Sequence, residues 1–285
     1  MAYIPLLRAN VMHGVIALLQ QLHAPTEPLL AEAKLPPSIL YESEALLPLQ
    51  QVLDFIENAA LVLQIEHFGL LAGQQTQIAQ LGALGRILCH SLTLQDAIYT
   101  LIRLLPSYNS GDRMWLKSQG NVIWICRQFI NGLEQSYPQA VQVSVMCLIH
   151  LIQLAAGPQW HPTEIHLAMP PTRGFDQVRI LADTNVLFNQ EVTAIAVPIT
   201  LLSLPLQQPA QVENQQRDRD YQILYSSAPA TNFPASLKQM IRIHLKHDYS
   251  NIRAIAEILG VSVRSFQRQL SQANVTYSQL IEQVR

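Results

Sequence analysis

Apolar residues recur at helical spacing through the first hundred residues of the chain. One stripe over residues 4–22 predicts a helix, and a second stripe from Val52 to Leu63 predicts another. Thr93 and Asp96 have the spacing of a capping box, in which each side chain bonds the backbone N–H of the other residue, and they predict a third helix. We therefore expect the chain to be helical, without strands, up to about residue 105.

The pattern then changes to runs rich in β-branched and aromatic residues. Residues 113–118 and 121–129 flank Gln119 and Gly120, which predicts a β-hairpin. We expect Trp115 and Trp124 on the core side of this hairpin. The second run is apolar on both faces where it begins, so a central strand of a larger sheet is the alternative.

Helical spacing returns in the middle of the chain. Residues 136–157 carry a long apolar stripe that ends at a Gly-Pro pair, and this predicts a long helix. Residues 164–168 and 185–188 read as short strands, with a short helix predicted over residues 175–181. Helices around a mostly antiparallel sheet place this part of the chain in the α+β class.

A polar stretch separates this region from the end of the chain. Residues 207–233 are rich in Gln, Asn, Ser and Pro, which is typical of a linker, and a helix is expected within it over residues 213–220. Pro234 opens a further helix that is predicted to reach Lys246. Thr276 and Gln279 form a second capping box, which starts the last helix.

Between these helices lies a pattern typical of a helix-turn-helix. Asn251 is suited to cap a short helix, and Gly260 can adopt the left-handed conformation that ends it. Ser262 then opens a second helix in which Phe266 and Leu270, four residues apart, form the apolar side. In DNA-binding proteins the second helix of such a pair fits the major groove.

The polar residues of that second helix are the candidate DNA contacts. Arg264, Gln267 and Arg268 are predicted to project away from the apolar side, and Ser265 also lies off it. An arginine can bond guanine through two parallel hydrogen bonds, and glutamine can do the same with adenine. Ser262, at the helix N-terminus, can instead bond a phosphate. Solvation of an exposed helix face is the alternative interpretation of both arginines.

Composition indicates a well-filled core and few surface charges. The chain has 285 residues, of which 49% are hydrophobic and 13% charged. Cys89, Cys126 and Cys147 lie in apolar segments and are expected to be reduced core thiols. The sequence predicts neither a membrane span nor a secretory signal, so we expect a cytoplasmic protein.

The charges are unevenly distributed along the chain. Residues 234–285 carry seven basic and three acidic side chains, whereas the rest carries eleven basic and seventeen acidic ones. A basic end on an acidic remainder is typical of a module that faces phosphate groups, attached to a region that does not.

We find no constellation of residues that predicts an enzyme. Cys89 and His90 are adjacent and would point to different sides of a helix, and His161 and His166 would lie on opposite faces of a strand. No zinc spacing, phosphate loop or nucleophile elbow is present, so we expect neither a metal nor a cofactor. Glu44 lies in a polar loop, where a solvated surface position is the expectation.

The end of the chain resembles the first helix-turn-helix of AraC/XylS-type transcription regulators. Members of that family carry two such motifs joined by a long helix. Here the chain stops at Arg285, within the position of that helix, which leaves two interpretations, a fragment or a truncated gene product. The matching residues are Ala256, Leu259, Gly260, Ser262, Arg264, Phe266, Gln267, Arg268 and Leu270.

The preceding region resembles the arabinose-binding-type N-terminal domain of one AraC subfamily. The resemblance is carried by residues 81–98, 157–162, 185–189 and 197–206. Asn189 is a departure, because the family usually has glycine after the phenylalanine. The resemblance implies a domain that senses a small-molecule effector and forms homodimers, and a protein that binds double-stranded DNA.

These observations predict three segments. Residues 1–206 form an effector-sensing and dimerisation domain, 207–233 a linker, and 234–285 a partial DNA-binding domain. The predicted function is transcription regulation by sequence-specific DNA binding under effector control. The alternative is a ligand-binding or dimerising protein that does not bind DNA by itself and acts on a full-length partner.

Arginines of the first segment are candidates for pairing with an anionic effector, and an ordinary surface or ion-paired role is the alternative for each. They are Arg86, Arg103, Arg127, Arg173 and Arg179.

Overall fold

The structure is a computed structural model that describes residues 3–207, 214–245 and 251–284. Within these ranges helices predominate, as the α+β prediction requires. They are α1 (His13–Gln21), α2 (Thr26–Glu32), α3 (Leu49–Leu63), α4 (Phe68–Gln74), α5 (Gly82–Cys89), α6 (Leu94–Tyr108), α7 (Pro138–Ala156), α8 (Asn214–Ser226), α9 (Phe233–Leu245), α10 (Ile252–Ile258), α11 (Val263–Gln272) and α12 (Tyr277–Val284).

The strands form two sheets, and the helices pack around them. One sheet is an antiparallel pair of β1 and β2, and the other has the order β3-β4-β7-β5-β6, in which only the β5–β6 pair is parallel. The strands are β1 (Leu6–Arg8), β2 (Leu46–Pro48), β3 (Asp112–Gln119), β4 (Val122–Phe129), β5 (Glu164–His166), β6 (Asn185–Leu187) and β7 (Thr193–Pro198).

The N-terminal helix is shorter than the sequence predicts. Residues 6–8 form β1, which pairs with β2, and the α-helix begins only at His13. The prediction of a strand-free N-terminal region was therefore wrong. Leu6, Leu7 and Arg8 are all buried, so their helical spacing with later residues could not distinguish a helix from a strand buried on both faces.

The predicted hairpin is confirmed, with its turn shifted by one residue. Gln119 pairs with Val122, so the loop consists of Gly120 and Asn121, and Gly120 has a φ of +58°. β4 lies between β3 and β7, as the central-strand alternative requires.

The expected side of the tryptophans was wrong. Met114 and Leu116 pack against the core on one face of β3, whereas Trp115 and Trp124 are half-buried on the other face. The ring of Trp124 lies 4.4 Å from that of His166. Both faces of β4 are largely covered, so the aromatic residues gave no reliable indication of the core side.

Besides β1 and β2, the strand β7 was not predicted, and one helix was predicted too long. β7 is buried over most of its length and shows no alternation, which removes the signal expected of a half-buried strand. Within residues 175–181 only Arg179–Leu181 is helical, as a 3-10 turn. Asn189 has a φ of +55°, a left-handed conformation that asparagine tolerates better than most residues and that glycine also adopts.

The two predicted capping boxes and the long central helix are confirmed. Thr93 and Asp96 exchange their hydrogen bonds, as do Thr276 and Gln279. α7 is long and apolar enough to cross a membrane, but two thirds of its most apolar stretch is buried inside the protein, as in a core helix. Glu213 and Lys246, which were predicted in helices, lie outside the described residues.

The buried apolar residues of the described ranges form two clusters. The larger one belongs to residues 7–243 and is centred on α3, α5, α6 and α7. The smaller one is built mainly from α9 to α12 and also contains Leu6 and Leu46 of the β1–β2 sheet and Ile4, which precedes β1. We refer to residues 3–207 as the body and to the described residues of 233–284 as the tail. β1 thus contributes Leu6 to the tail cluster and Leu7 to the body cluster.

Candidate nucleic-acid interface and ligand cavity

α10 and α11 are joined by a tight turn whose hydrogen bonds are satisfied locally. The Oδ1 atom of Asn251 accepts from the N–H of Ala254 at 2.8 Å, which caps α10. Gly260 lies in the turn after α10 and has a φ of +64°, the left-handed conformation that ends the helix. Ser262 then caps α11, because its hydroxyl oxygen accepts from the N–H of Ser265 at 3.1 Å. Both predicted caps are confirmed.

Phe266 anchors α11 in the tail cluster. Its side chain is fully buried, and its ring makes edge contacts with Phe233 at 6.5 Å and Tyr277 at 6.1 Å between centroids. Leu270, one turn later, is also buried. These two residues fix the rotation of α11, because the helix can present only its opposite side to solvent while they remain buried.

The predicted contact residues lie on or beside that opposite side. Arg264, Gln267 and Arg268 are exposed, and neither guanidinium has an ion-pair partner within the described ranges. Ser262 is exposed and donates from its hydroxyl to the Oγ of Ser265 at 3.0 Å, while Ser265 itself is half-buried. Four of the five residues therefore form one accessible surface over the N-cap and the first two turns of α11.

Ser271 continues this surface and was missed by the sequence reasoning. It is exposed one turn after Gln267, on the side of α11 opposite Phe266. A serine late in a helix carries no capping signal, but helical spacing from Gln267 could have found it.

The tail is attached to the body through buried contacts. The N–H of Ile4 donates to the Oγ of Ser236 at 2.9 Å in α9. At the surface, Lys34 pairs with Glu257 of α10 at 2.7 Å, but Glu257 is well exposed, so this ion pair stabilises little.

Helix α8, within the segment predicted as a linker, is held on the body by two arginines. Arg8 is fully buried and donates from Nη2 to the carbonyl of Leu224 at 3.1 Å and from Nη1 to the hydroxyl of Ser227 at 3.1 Å. Arg86 donates two hydrogen bonds to the carboxylate of Asp220, with Nη2–Oδ1 and Nε–Oδ2 distances of 2.6 and 3.1 Å. A cation at the C-terminal end of α8 also interacts favourably with its dipole.

Glu44 is a structural residue and not the solvated surface residue that its loop predicted. Its carboxylate pairs with Arg8 at 3.0 Å and accepts from the N–H of Ala83 at 2.7 Å, at the start of α5. A polar loop gave no indication of this role, because Arg8 lies 36 residues earlier in the chain.

The body contains a largely apolar cavity with a volume of about 120 Å³. Its walls come from α3, α5, α6 and α7 and from the inner face of the β3–β4 hairpin. The apolar lining includes Leu49, Val52, Leu53, Ile56, Leu84, Leu88, Leu101, Leu105, Val143 and Leu148.

A buried ion pair forms the polar part of the cavity. Arg127 donates from Nε to Oδ2 of Asp112 at 2.7 Å and from Nη1 to the Oγ of Ser144 at 2.7 Å. Both members of the pair are only 5% exposed. Burial raises the pKa of Asp112, and the adjacent Arg127 opposes that rise. The Oδ1 atom of Asp112 has no hydrogen-bond partner among the described residues.

Only one of the five arginines proposed for an effector lines this cavity. Arg127 does so, whereas Arg86 is engaged by Asp220. Arg103, Arg173 and Arg179 are exposed. Asp112 and Ser144 were missed, since neither lies in a recognisable motif, and the described residues contain no group of His, Cys, Asp and Glu side chains suited to a metal.

Comparisons with known proteins identify the body. Residues 24–206, more than half of the chain, match the family model described as the N-terminal arabinose-binding domain of AraC transcription regulators. A crystal structure of the transcriptional regulator CdpR from Pseudomonas aeruginosa is 15% identical, covering 91% of this chain and 81% of that chain with a TM-score of 0.45. None of the curated proteins matches the chain.

Proposed function

The chain belongs to the family of AraC transcription regulators with an arabinose-binding-type N-terminal domain, and we propose that it regulates transcription by sequence-specific binding to double-stranded DNA under the control of a small-molecule effector. Residues 1–206 would sense the effector and dimerise, 207–233 would link, and 234–285 would bind DNA through one helix-turn-helix. We further propose that the protein acts in the cytoplasm.

The observation that carries this proposal is the surface of α11. Phe266 and Leu270 bury one side of the helix, so Arg264, Gln267 and Arg268 project together from the other side. A recognition helix reads base edges from its N-terminal part, and these three residues lie in the first two turns of α11.

Each residue has a role that follows from its chemistry. Arg264 and Arg268 would each bond O6 and N7 of a guanine, and Gln267 would bond an adenine. Ser262 and Ser265 would contact a phosphate at the N-terminus of α11, where the helix dipole favours an anion. Phosphate contacts fix the position of the helix, whereas the base contacts distinguish sequences.

The cavity in the body supports effector control. Leu7 lines the cavity. The next residue, Arg8, donates a hydrogen bond to the C-terminal end of α8. Leu6 packs in the tail cluster. A ligand that displaces Leu7 would therefore act on residues that contact both α8 and the tail.

Homodimer formation is part of the proposal, because two-fold proteins match the paired half-sites of operators. Val15, Leu18 and Leu19 of the apolar stripe over residues 4–22 are buried in the body core and so are not available for a dimer surface.

The proposal is tested with the full chain on DNA. A selection from random duplexes would first yield a preferred sequence, and Arg268→Ala should then lower affinity for that sequence by about 5- to 150-fold, the effect of one base contact of about 1–3 kcal/mol. Affinity for random DNA should fall much less, and the thermal midpoint should stay within about 1 °C because Arg268 is exposed.

Arg179→Ala is the matched control, since it removes the same charge from an exposed position in the body. An equal loss on preferred and random DNA would make Arg268 a phosphate contact. If the wild-type chain binds no DNA but associates with a full-length regulator, the alternative of a partner-dependent protein replaces this proposal.

A further inference from the structure

We propose that two copies of the chain dimerise through the outer face of the five-stranded sheet, which is the side of that sheet turned away from the body cluster. This inference rests on the homodimer of the proposed function and assigns it a surface. It is carried by the side chains that the strand pairing brings together on this face and by the distribution of their charges.

The strand register places these side chains in two rows that cross the sheet from β3 to β6. Residues opposite each other on neighbouring strands point to the same face. The first row consists of Lys117, Trp124, Ala196, Glu164 and Asn185. The second row consists of Trp115, Cys126, Ala194, His166 and Leu187. We refer to these two rows as the outer face.

The apolar residues of the outer face lie outside the cores of the protein. Cys126, Ala194 and Ala196 are buried, but they belong to neither of the two apolar clusters. Trp115 and Trp124 are half-buried and are also outside both clusters. Two tryptophans on a sheet face that is not part of a core are typical of the centre of a protein–protein interface, where aromatic residues are enriched.

Aromatic rings extend over the small side chains in the middle of the outer face. Trp124 of β4 and His166 of β5 lie on opposite sides of β7, yet the centres of their rings are only 4.4 Å apart. The two rings therefore reach across β7. This explains why Ala194 and Ala196 are only 3% and 4% exposed. The middle of the face is thus an aromatic surface that a second sheet can pack against.

The charges of the outer face have opposite signs on the two sides of β7. Lys117 lies on the edge strand β3, is exposed, and forms no ion pair with another described residue. Glu164 lies on β5, where its hydrogen bond with His166 lowers the pKa of its carboxyl group and so keeps it charged at neutral pH. A face with this distribution of charge is complementary to a second copy of itself.

A two-fold axis parallel to the strands and above β7 matches these features. It places β3 of one copy over β6 of the other copy, and β4 over β5. Lys117 then lies about 5 Å to the side of Glu164 of the partner copy, which is one strand spacing and within reach of a lysine side chain. Trp115 faces the exposed Leu187 of the partner copy.

The shape and charge of the outer face favour a second copy over other occupants. Small molecules bind in concave pockets, and the face of a sheet is not concave. A nucleic acid would bring its phosphates close to the charged carboxylate of Glu164, which repels them. A second copy satisfies both the aromatic centre and the opposite charges.

The size of the outer face predicts a weak dimer. Five strands span about 19 Å and eight residues of β3 about 24 Å, but β5 and β6 are short, so the face covers roughly half of the 800 Å² per partner of a standard interface. We therefore expect a dissociation constant on the order of 10 µM without DNA. Two half-sites on one operator would raise the effective concentration of the second copy.

The first test measures dimerisation of the full chain without DNA, by sedimentation velocity from about 1 to about 100 µM. Trp124→Ala should raise the dissociation constant by about 30-fold or more, because an aromatic residue at the centre of an interface is a hot spot. Tyr99→Ala is the matched control, since Tyr99 is an exposed aromatic residue on α6, away from the sheet. It should leave the dissociation constant unchanged.

The second test exchanges the charges and does not depend on the stability of a tryptophan variant. Lys117→Glu and Glu164→Lys should each raise the dissociation constant by about tenfold or more, because each places like charges opposite each other at two symmetric positions. An equimolar mixture of the two variants should dimerise about as well as wild type, because both ion pairs form again in the mixed dimer. Arg179→Glu, which reverses an exposed charge elsewhere in the body, should have no effect.

Each contrary result has a separate meaning. If wild type dimerises and both the Trp124 and the charge variants dimerise equally well, the homodimer stands and its surface lies elsewhere. If the mixture of charge variants does not recover dimerisation, the proposed two-fold arrangement is wrong. A wild-type chain that stays monomeric up to about 100 µM overturns both this inference and the homodimer. DNA binding by α11 is then still judged by Arg268→Ala.

Discussion

Arg127 of the body and the two arginines of α11 have opposite surroundings, although the sequence presents them alike. Arg127 is 5% exposed and bonds Asp112 and Ser144, whereas Arg264 and Arg268 are exposed and have no ion-pair partner in the described ranges. A buried, paired guanidinium contributes to the fold, and an exposed, unpaired one is free to bind an anion or a base. The surroundings of an arginine, and not its residue type, decide whether it contributes to the fold or is free to bind an anion or a base.

The body cluster and the tail cluster differ in size and in the elements that build them. The body cluster draws on most helices of the chain and encloses a cavity, while the tail cluster is small and includes Ile4, Leu6 and Leu46 from outside the tail. A small cluster depends strongly on each large side chain in it. The tail should therefore be the more sensitive of the two regions to a single substitution.

The largest effect is expected at Phe266. Phe266→Ala removes the ring that contacts Phe233 and Tyr277, and it should destabilise the tail by about 4 kcal/mol through lost burial and a residual cavity. Hydrogen exchange of the α11 and α12 amides should accelerate strongly while α7 stays protected. Phe266→Leu is the control and should retain most of the protection. Equal acceleration in α7 would show that the two clusters unfold as one unit.

A somewhat smaller effect is expected at the buried pair of the body. Arg127→Met leaves Asp112 charged and unpaired in an apolar wall, so it should lower the free energy of unfolding by about 3 kcal/mol in urea titrations. The double substitution Arg127→Met with Asp112→Leu should recover most of that loss. DNA affinity of the single variant should be unchanged at a temperature where it stays folded. A loss of DNA affinity in the folded variant would show that Arg127 does not differ from Arg268 in its effect on DNA binding.

The smallest effect is expected from pH. Burial raises the pKa of Glu57 in α3 from its ordinary value of 4.5 to about 7. The folded state therefore binds this proton more strongly than the unfolded state, and the stabilisation present below about pH 4.5 is lost as pH rises to about 7. Glu57→Gln should flatten this decline, because its amide oxygen can still accept from the N–H of Gln139, as the carboxylate does at 2.7 Å.

Free energies of unfolding at pH 5 and pH 8 measure the difference. Asp54→Asn is a useful comparison, since the exposed Asp54 carboxylate contributes only slightly to the raised pKa. A slope that is the same in wild type and Glu57→Gln would assign the pH dependence to other groups.

Local signals predicted the tail well. The caps at Asn251 and Ser262, the turn at Gly260 and the burial of Phe266 depend on residues within a few positions of one another, and the structure confirms each. The family was also identified from short motifs and is confirmed by the match over residues 24–206. The α+β class followed from the change of period near the hairpin.

Contacts between distant residues were not predictable in this way. β1 needs β2 as its partner, about 40 residues away, and β7 needs β4, so neither strand carries a complete signal of its own. Likewise, the polar part of the cavity joins residues of β3, β4 and α7 that share no motif.

The sequence by itself determined the class of fold, the family and the capped helices of the tail, because spacing and capping act between neighbours along the chain. Only the tertiary structure decided that Arg8 and Glu44 hold α8 and α5, and that Asp112 and Arg127 form a buried ion pair in the wall of an apolar cavity. The physical reason is that burial and pairing depend on what the folded chain brings within a few ångströms, whatever the separation in sequence.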